Sequence, residues 1–166
     1  MLARGVESFR LQQGGADEAH ALVTRAGELY RSLGATALER ITDPAGGLLE
    51  RDMHVFAFDR RSIYRAFAGR PDKVDTAVRD NPDVDGQELV HDAFEQAGRG
   101  GGWVEHAFVN PQTGRVDLET SYVHPMAQDL ILGCGVYKAR TDAPPTSALA
   151  SALVRAGGAK SAALAA

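Results

Sequence analysis

Cysteine is nearly missing: Cys134 stands alone in a chain of 166 residues, so no internal disulfide can form. A lone cysteine in an apolar strand reads as a small buried hydrophobe, in keeping with a reducing compartment. Long apolar runs are missing too. No stretch approaches the roughly 18 residues that cross a bilayer, and the N-terminus lacks the apolar core of a signal peptide. The chain therefore reads as soluble and not exported, with no direct membrane insertion. No cationic block stands out, since 18 Lys and Arg face 22 Asp and Glu for a net charge of −4. The densest basic pair, Arg60-Arg61, sits beside a turn, so no nucleic-acid track is expected. Mild acidity also excludes a general anion-binding surface, while leaving room for a local basic pocket. The Gly-x-Ser-x-Gly elbow of serine hydrolases is absent. Cys134 lies between two glycines with no cation or helix N-terminus to activate its thiol. The chain does not read as an enzyme, and no cofactor is expected.

What is present suits one domain with a real core, at 44% hydrophobic residues. From Asp17 to about Arg40, Leu22, Val23, Ala26, Tyr30, Leu33, Ala37 and Ile41 recur at steps of three and four, which predicts a long helix. Asp17 is expected to cap it. Gly34 lies inside this span, where glycine costs about 1 kcal/mol against alanine. Residues 41–51 read as loop. Met53–Asp59 and Ser62–Ala68 read as a hairpin turning at Asp59-Arg60-Arg61. A polar crossover from Arg70 to Asp85 carries Pro71 and Pro82. A second helix starts at Asp85 or Gly86 and runs to about Gly98, with Leu89, Val90, Ala93, Phe94 and Ala97 on one face.

The stretch from Gly100 to Lys138 reads as short strands joined by tight turns. The glycine run before Trp103 cannot hold a helix. Residues 103–109 alternate with a period near two. Asn110–Gly114 has the chemistry of a hairpin turn. Thr120–Met126 and Leu130–Lys138 then form a further antiparallel pair. At the ends, residues 1–15 read as the end of a coil or linker, with Leu2, Val6 and Phe9 on one face. Residues 141–166 read as a short helix after Pro144-Pro145 and then a disordered tail.

In order and spacing these elements resemble a single Cache domain, the PAS-like sensor module of bacterial chemoreceptors. The resemblance rests on Gly100–Trp103, Asn110–Gly114, Ser121–Val123 and Gly133–Tyr137. In the first half it rests on Asp43-Pro44, Gly46, His54–Asp59 and Ile63–Phe67. It covers residues 17–139, with the sensor domain taken as 16–140. It implies an α+β fold: a central antiparallel sheet of about five strands with a long N-terminal helix. Val6–Leu11 resembles the last turn of a chemoreceptor signalling coil. That implies a cytoplasmic position at the C-terminal end of a receptor, or a periplasmic one if the chain is an excised sensor domain. The implied function is ligand sensing in chemotaxis, with a small-molecule ligand, a homodimer, and signalling proteins reached through the attached receptor.

Three constellations are candidates for chemistry. Asn81, Asp83, Asp85, Gly86 and Asp92 fall near an EF-hand spacing, but Asp replaces the bidentate Glu, no helix precedes the loop, and the plain reading is a turn and helix cap. His54, His106 and His124 lie on three strands that could bring them to one zinc or haem, though no pair has tight ligand spacing. The third is a set of strand aromatics with a few polar tips, the mixture a small-molecule pocket needs.

The resemblance places that pocket between the sheet and the elements connecting its strands. It points to Phe56, Tyr64, Phe67, Trp103, His106, Tyr122, His124 and Cys134, with Arg65, His106 and His124 able to meet a carboxylate. Strict alternation puts Trp103 and His106 on opposite faces. Where relatives carry Lys, this chain has Glu119, and where many carry His it has Phe67. The expected ligand is a small metabolite such as a short carboxylate; if the exchanged groups hold the carboxylate in relatives, a neutral or cationic ligand, or none, is the alternative. The alternatives are a ligand-free dimerisation and assembly module, or a haem- or zinc-binding redox sensor.

Overall fold

The computed structural model describes residues 14–82, 84–109 and 115–137. The coil-like segment, the Asn110–Gly114 turn, Asp83, Lys138 and the C-terminal helix and tail lie outside the described residues. Helix α1 spans Ala16–Leu33 and begins after Gly15, whose extended backbone offers its carbonyl to Ala19 N–H at 3.0 Å. Asp17 does not cap it. With Glu18 it sits in the first turn, where carboxylates face the positive end of the helix dipole. Gly34, at φ 61°, ends the helix and donates to Tyr30 O at 2.8 Å. Helix α2 follows at Thr36–Thr42. The single helix expected to Arg40 is therefore two. The break is masked in the sequence because Ala37 and Ile41 are buried on α2 and continue the apolar count.

The strands are β1 Leu49–Glu50, β2 Met53–Phe58, β3 Tyr64–Phe67, β4 Gly102–Val109, β5 Val116–Met126 and β6 Leu130–Tyr137. All neighbours are antiparallel, in the order β1-β2-β6-β5-β4 with β3 also on β2. β1 and β3 share one edge of β2: β1 pairs Met53 and His54, and β3 pairs Phe56 to Phe58. β1 was read as loop, and two residues hold no period to detect. A crossover carries the chain from β3 across the sheet to helix α3, Gly86–Ala97, and on to β4. Asp85 caps α3 by accepting Glu88 N–H at 3.1 Å.

Each face of the sheet builds its own core. On one side Leu22, Val23 and Ala26 of α1 pack with Met53, Val55, Leu132 and Cys134. On the other, Leu89 and Ala93 of α3 pack with Phe56, Phe58, Tyr64, Val104, Val123 and Ile131, closed by Val78 of the crossover. The outward side of α1 carries Asp17, His20, Thr24, Arg25, Glu28 and Arg31.

Candidate functional site

Register decides which candidates meet. β4 pairs β5 with His106 opposite Glu119, Val104 opposite Ser121 and Trp103 opposite Tyr122. β6 sets Gly135 opposite Ser121 and Cys134 opposite Tyr122. Side chains alternate between faces. His106, Glu119 and Ser121 therefore share the α3 face with Phe56, Tyr64 and Phe67. Trp103, Tyr122, His124 and Cys134 lie on the α1 face. The sheet thus splits the candidate set, and Trp103 and His106 are opposed as their parity requires.

On the α3 face Tyr64 stands edge-on to Phe56, Phe58 and Phe67, at ring distances of 6.5, 6.4 and 5.3 Å. Its hydroxyl accepts from Asn81 Nδ2 at 3.3 Å, and Lys73 Nζ donates to Asn81 Oδ1 at 3.2 Å. Across the face His106 is 4% exposed and Ser121 is fully buried. His106 Nε2 lies 3.4 Å from a Glu119 carboxylate oxygen. Among the described residues its Nδ1 and the Ser121 hydroxyl have no partner, and neither has the Thr120 hydroxyl. Two glycines of β6 make room here: a Cβ at Gly133 would strike the Phe56 ring, and one at Gly135 the Glu119 carboxylate. Glu119 and Ser121 were not singled out as site residues from the sequence. The available signal was alternation from Val123, which puts 119 and 121 on its face.

Arg65 is engaged already. Its Nε and Nη2 donate to Asp59 and its Nη1 to Asp75, at 2.8 to 3.0 Å. It stands where the β2–β3 register shifts. Cys134 is buried in the α1 core, and burial foremost, then the charges of Glu119 and Asp52, pushes its thiol up to about 12. His124 is held below the ordinary imidazole value, first by burial and then by Arg31 and His20. The His20 and Trp103 rings lie 4.4 and 5.4 Å from Tyr122.

The three strand histidines do not converge. His54 Nδ1 donates to Ala68 O at 2.8 Å. His54 and His106 lie on β2 and β4 with two strands between them, roughly 14 Å apart at ordinary strand spacing. His124 is on the other face. Among the described residues the cluster with metal-ligand spacing is His91, Asp92 and Glu95 on one turn of α3, where Arg99 engages Glu95 at 3.1 Å. The EF-hand spacing does not form a loop either: Gly86 to Asp92 lie within α3, and Asp85 serves as its cap.

Two open clefts lie on the α1 side. One, of about 340 Å³, is bounded by Arg25, Leu29, Arg40 and Leu48. The other, of about 420 Å³, is bounded by Tyr30, Arg31, His124, Pro125, Met126 and Ala127. No helix among the described residues is long and apolar enough to cross a membrane.

No family model matches the chain, and no curated protein does. Three solved structures are similar. One is a Cache chemosensory domain described for carboxylic acid recognition, with 22% identity and a TM-score of 0.55 over 80% of this chain and 97% of that one. A methyl-accepting chemotaxis protein from Vibrio parahaemolyticus has 20% identity and a TM-score of 0.52, over 81% and 92% of the two chains. A periplasmic sensor domain of a chemotaxis protein has 21% identity and a TM-score of 0.52, over 84% and 99%. Because the fold occurs in a periplasmic domain, it lends no support to the cytoplasmic position expected from Val6–Leu11. With TM-scores of 0.52 to 0.55 over 80 to 84% of this chain, these neighbours show its architecture: the chain has the fold of the Cache chemosensory domains.

Proposed function

We propose that this chain is the ligand-sensing domain of a chemoreceptor, taking up a small organic molecule on the α3 face of its sheet. The observation that carries the reading is the His106 Nδ1 and Ser121 hydroxyl, both buried and without a partner among the described residues. A buried polar group without a partner costs about 1–3 kcal/mol, so a ligand that supplies the partner is stabilised by the same amount. A short carboxylate suits these donors. Glu119 lies 3.4 Å from Nε2 and takes up that edge of the ring, which leaves Nδ1 and the Ser121 hydroxyl to meet the ligand. Glu119 also repels a second anion, so the carboxylate approaches on the Nδ1 side. Val104 and Val123, the neighbours of His106 and Ser121 on the same face, form the adjoining apolar wall, and the ring cluster of Phe56, Tyr64 and Phe67 continues the face beyond them. The sheet links this site to α1, packed on its other face, and through α1 to an attached signalling coil. The relay needs a ligand that binds two arrangements of the sheet with different affinity. No catalytic step is part of this reading. The assembly-module alternative finds only Leu33 as an exposed large apolar residue on α1, whose outward side is otherwise polar and charged.

A thermal-melting screen against small organic acids, amino acids and purines tests the proposal. A ligand at 100 times its Kd adds about 2.7 kcal/mol, which raises the melting point by several degrees. S121A and H106A should remove that rise. A flat screen on folded protein, or a rise unchanged in both variants, overturns it.

A further inference from the structure

The cleft between the C-terminal half of α1 and the end of β5 lies on the face that the sensing site does not use. It is open, about 420 Å³, and within the range of about 300–1,000 Å³ seen for small-molecule sites. Its chemistry is two-sided. Tyr30, Pro125 and Met126 give it an apolar wall, while Arg31 gives it a cationic end with the His124 ring beside it. The Arg31 guanidinium and the Met126 sulfur both come over Gly27, at 3.6 and 3.7 Å from where a Cβ would stand, so the charged head and the apolar wall border one spot.

The charge is uncompensated. Arg31 has neither a hydrogen bond nor an ion pair among the described residues. The charges acting on His124 are Arg31 and His20, both from α1, and no carboxylate offsets them. Beside His124 stand the Gly101 backbone, just before β4, and Leu132 of β6. A local positive field in a chain of net charge −4 is the opposite of the molecule's average.

We infer that this cleft is a second binding site, for a small carboxylate bearing a short apolar tail. The carboxylate meets the planar guanidinium of Arg31, a fork that fits both of its oxygens, and His124 flanks it. The tail lies on Tyr30, Pro125 and Met126. A fully polar anion leaves that wall wet, and a neutral molecule leaves Arg31 unpaired.

The test is an amide NMR titration of the whole chain with butyrate, with butyramide as the neutral isostere, at matched ionic strength. Butyrate should give saturable shifts at Arg31, His124, Met126 and Ala127, and butyramide should not. R31Q changes an exposed side chain and should weaken butyrate binding by about tenfold, the scale of one charge-assisted contact. R25Q, also on α1, should leave it unchanged. Equal binding of butyramide, full affinity in R31Q, or shifts confined to His106 and Ser121 on the other face each overturn the inference. The last outcome would assign butyrate to the sensing site and leave that proposal standing.

Discussion

Asp59 does more at the β2–β3 turn than its loop position suggests. Its carboxylate accepts the backbone N–H groups of Arg61 and Ile63 at 2.9 and 3.2 Å and the Arg65 guanidinium at 2.8 Å. Burial pushes its pKa up, yet the Ile63 N–H, the Arg65 guanidinium and the Arg61 N–H together hold it below the usual carboxylate value. The folded state thus releases this proton more readily than the unfolded chain. The stabilisation is complete above the unfolded value near 3.8 and is lost as pH falls through the lower folded value. Urea melts should show Asp59→Ala destabilised by about 2 kcal/mol at neutral pH, with the gap to wild type closing in acid. Cys134 gives a second residue-scale expectation. With its thiol near 12, a disulfide reagent at pH 8 should label it only after denaturation. Its inertness was legible from two flanking glycines and an apolar strand. The partners of His106 were not, because they depend on how many residues the Asn110–Gly114 turn consumes. A slip of one would have paired His106 with Leu118 or Thr120 and turned its neighbours over.

At the level of elements, sequence periods place α3, β2, β3, β4 and β6 close to their observed bounds, start β5 at Thr120 where it begins at Val116, miss β1, and fail on α1, where apolar spacing runs through a break. Gly34 is such a place: the chain turns at a positive φ while the burial pattern continues into α2. Gly86 carries the more useful lesson. As the first residue of α3, it looks replaceable by alanine, the better helix former. Its missing side chain lets α3 sit on the backbone of the crossover, where a Cβ would collide with Val78 and Arg79. Gly86→Ala should therefore cost about 1–3 kcal/mol, as overpacking does, despite the gain in helix propensity. The measurement is a denaturant midpoint. A variant as stable as wild type would mean that α3 shifts freely on the crossover, against the packing of Leu89 and Ala93 with Val78.

Over the whole molecule, one sheet separates two chemistries. The α3 face holds a buried imidazole and hydroxyl beside a half-buried carboxylate, and the α1 face holds the long first helix. Composition showed that such a core was affordable, and the ordered motifs showed its class. Neither could place aromatics that alternate in sequence on the correct side of a sheet, because the side follows from pairing across strands far apart in the chain. The division has an optical consequence. The chain contains one tryptophan, Trp103, which is 38% exposed and sits beside Tyr122 on the α1 face. A ligand held by His106 and Ser121 is on the other side of the sheet from the indole. Its binding should leave the tryptophan emission unchanged if the sheet stays rigid. An emission shift on binding would then report movement carried through the strands, so the protein has a built-in fluorescent gauge of transmission, separate from occupancy.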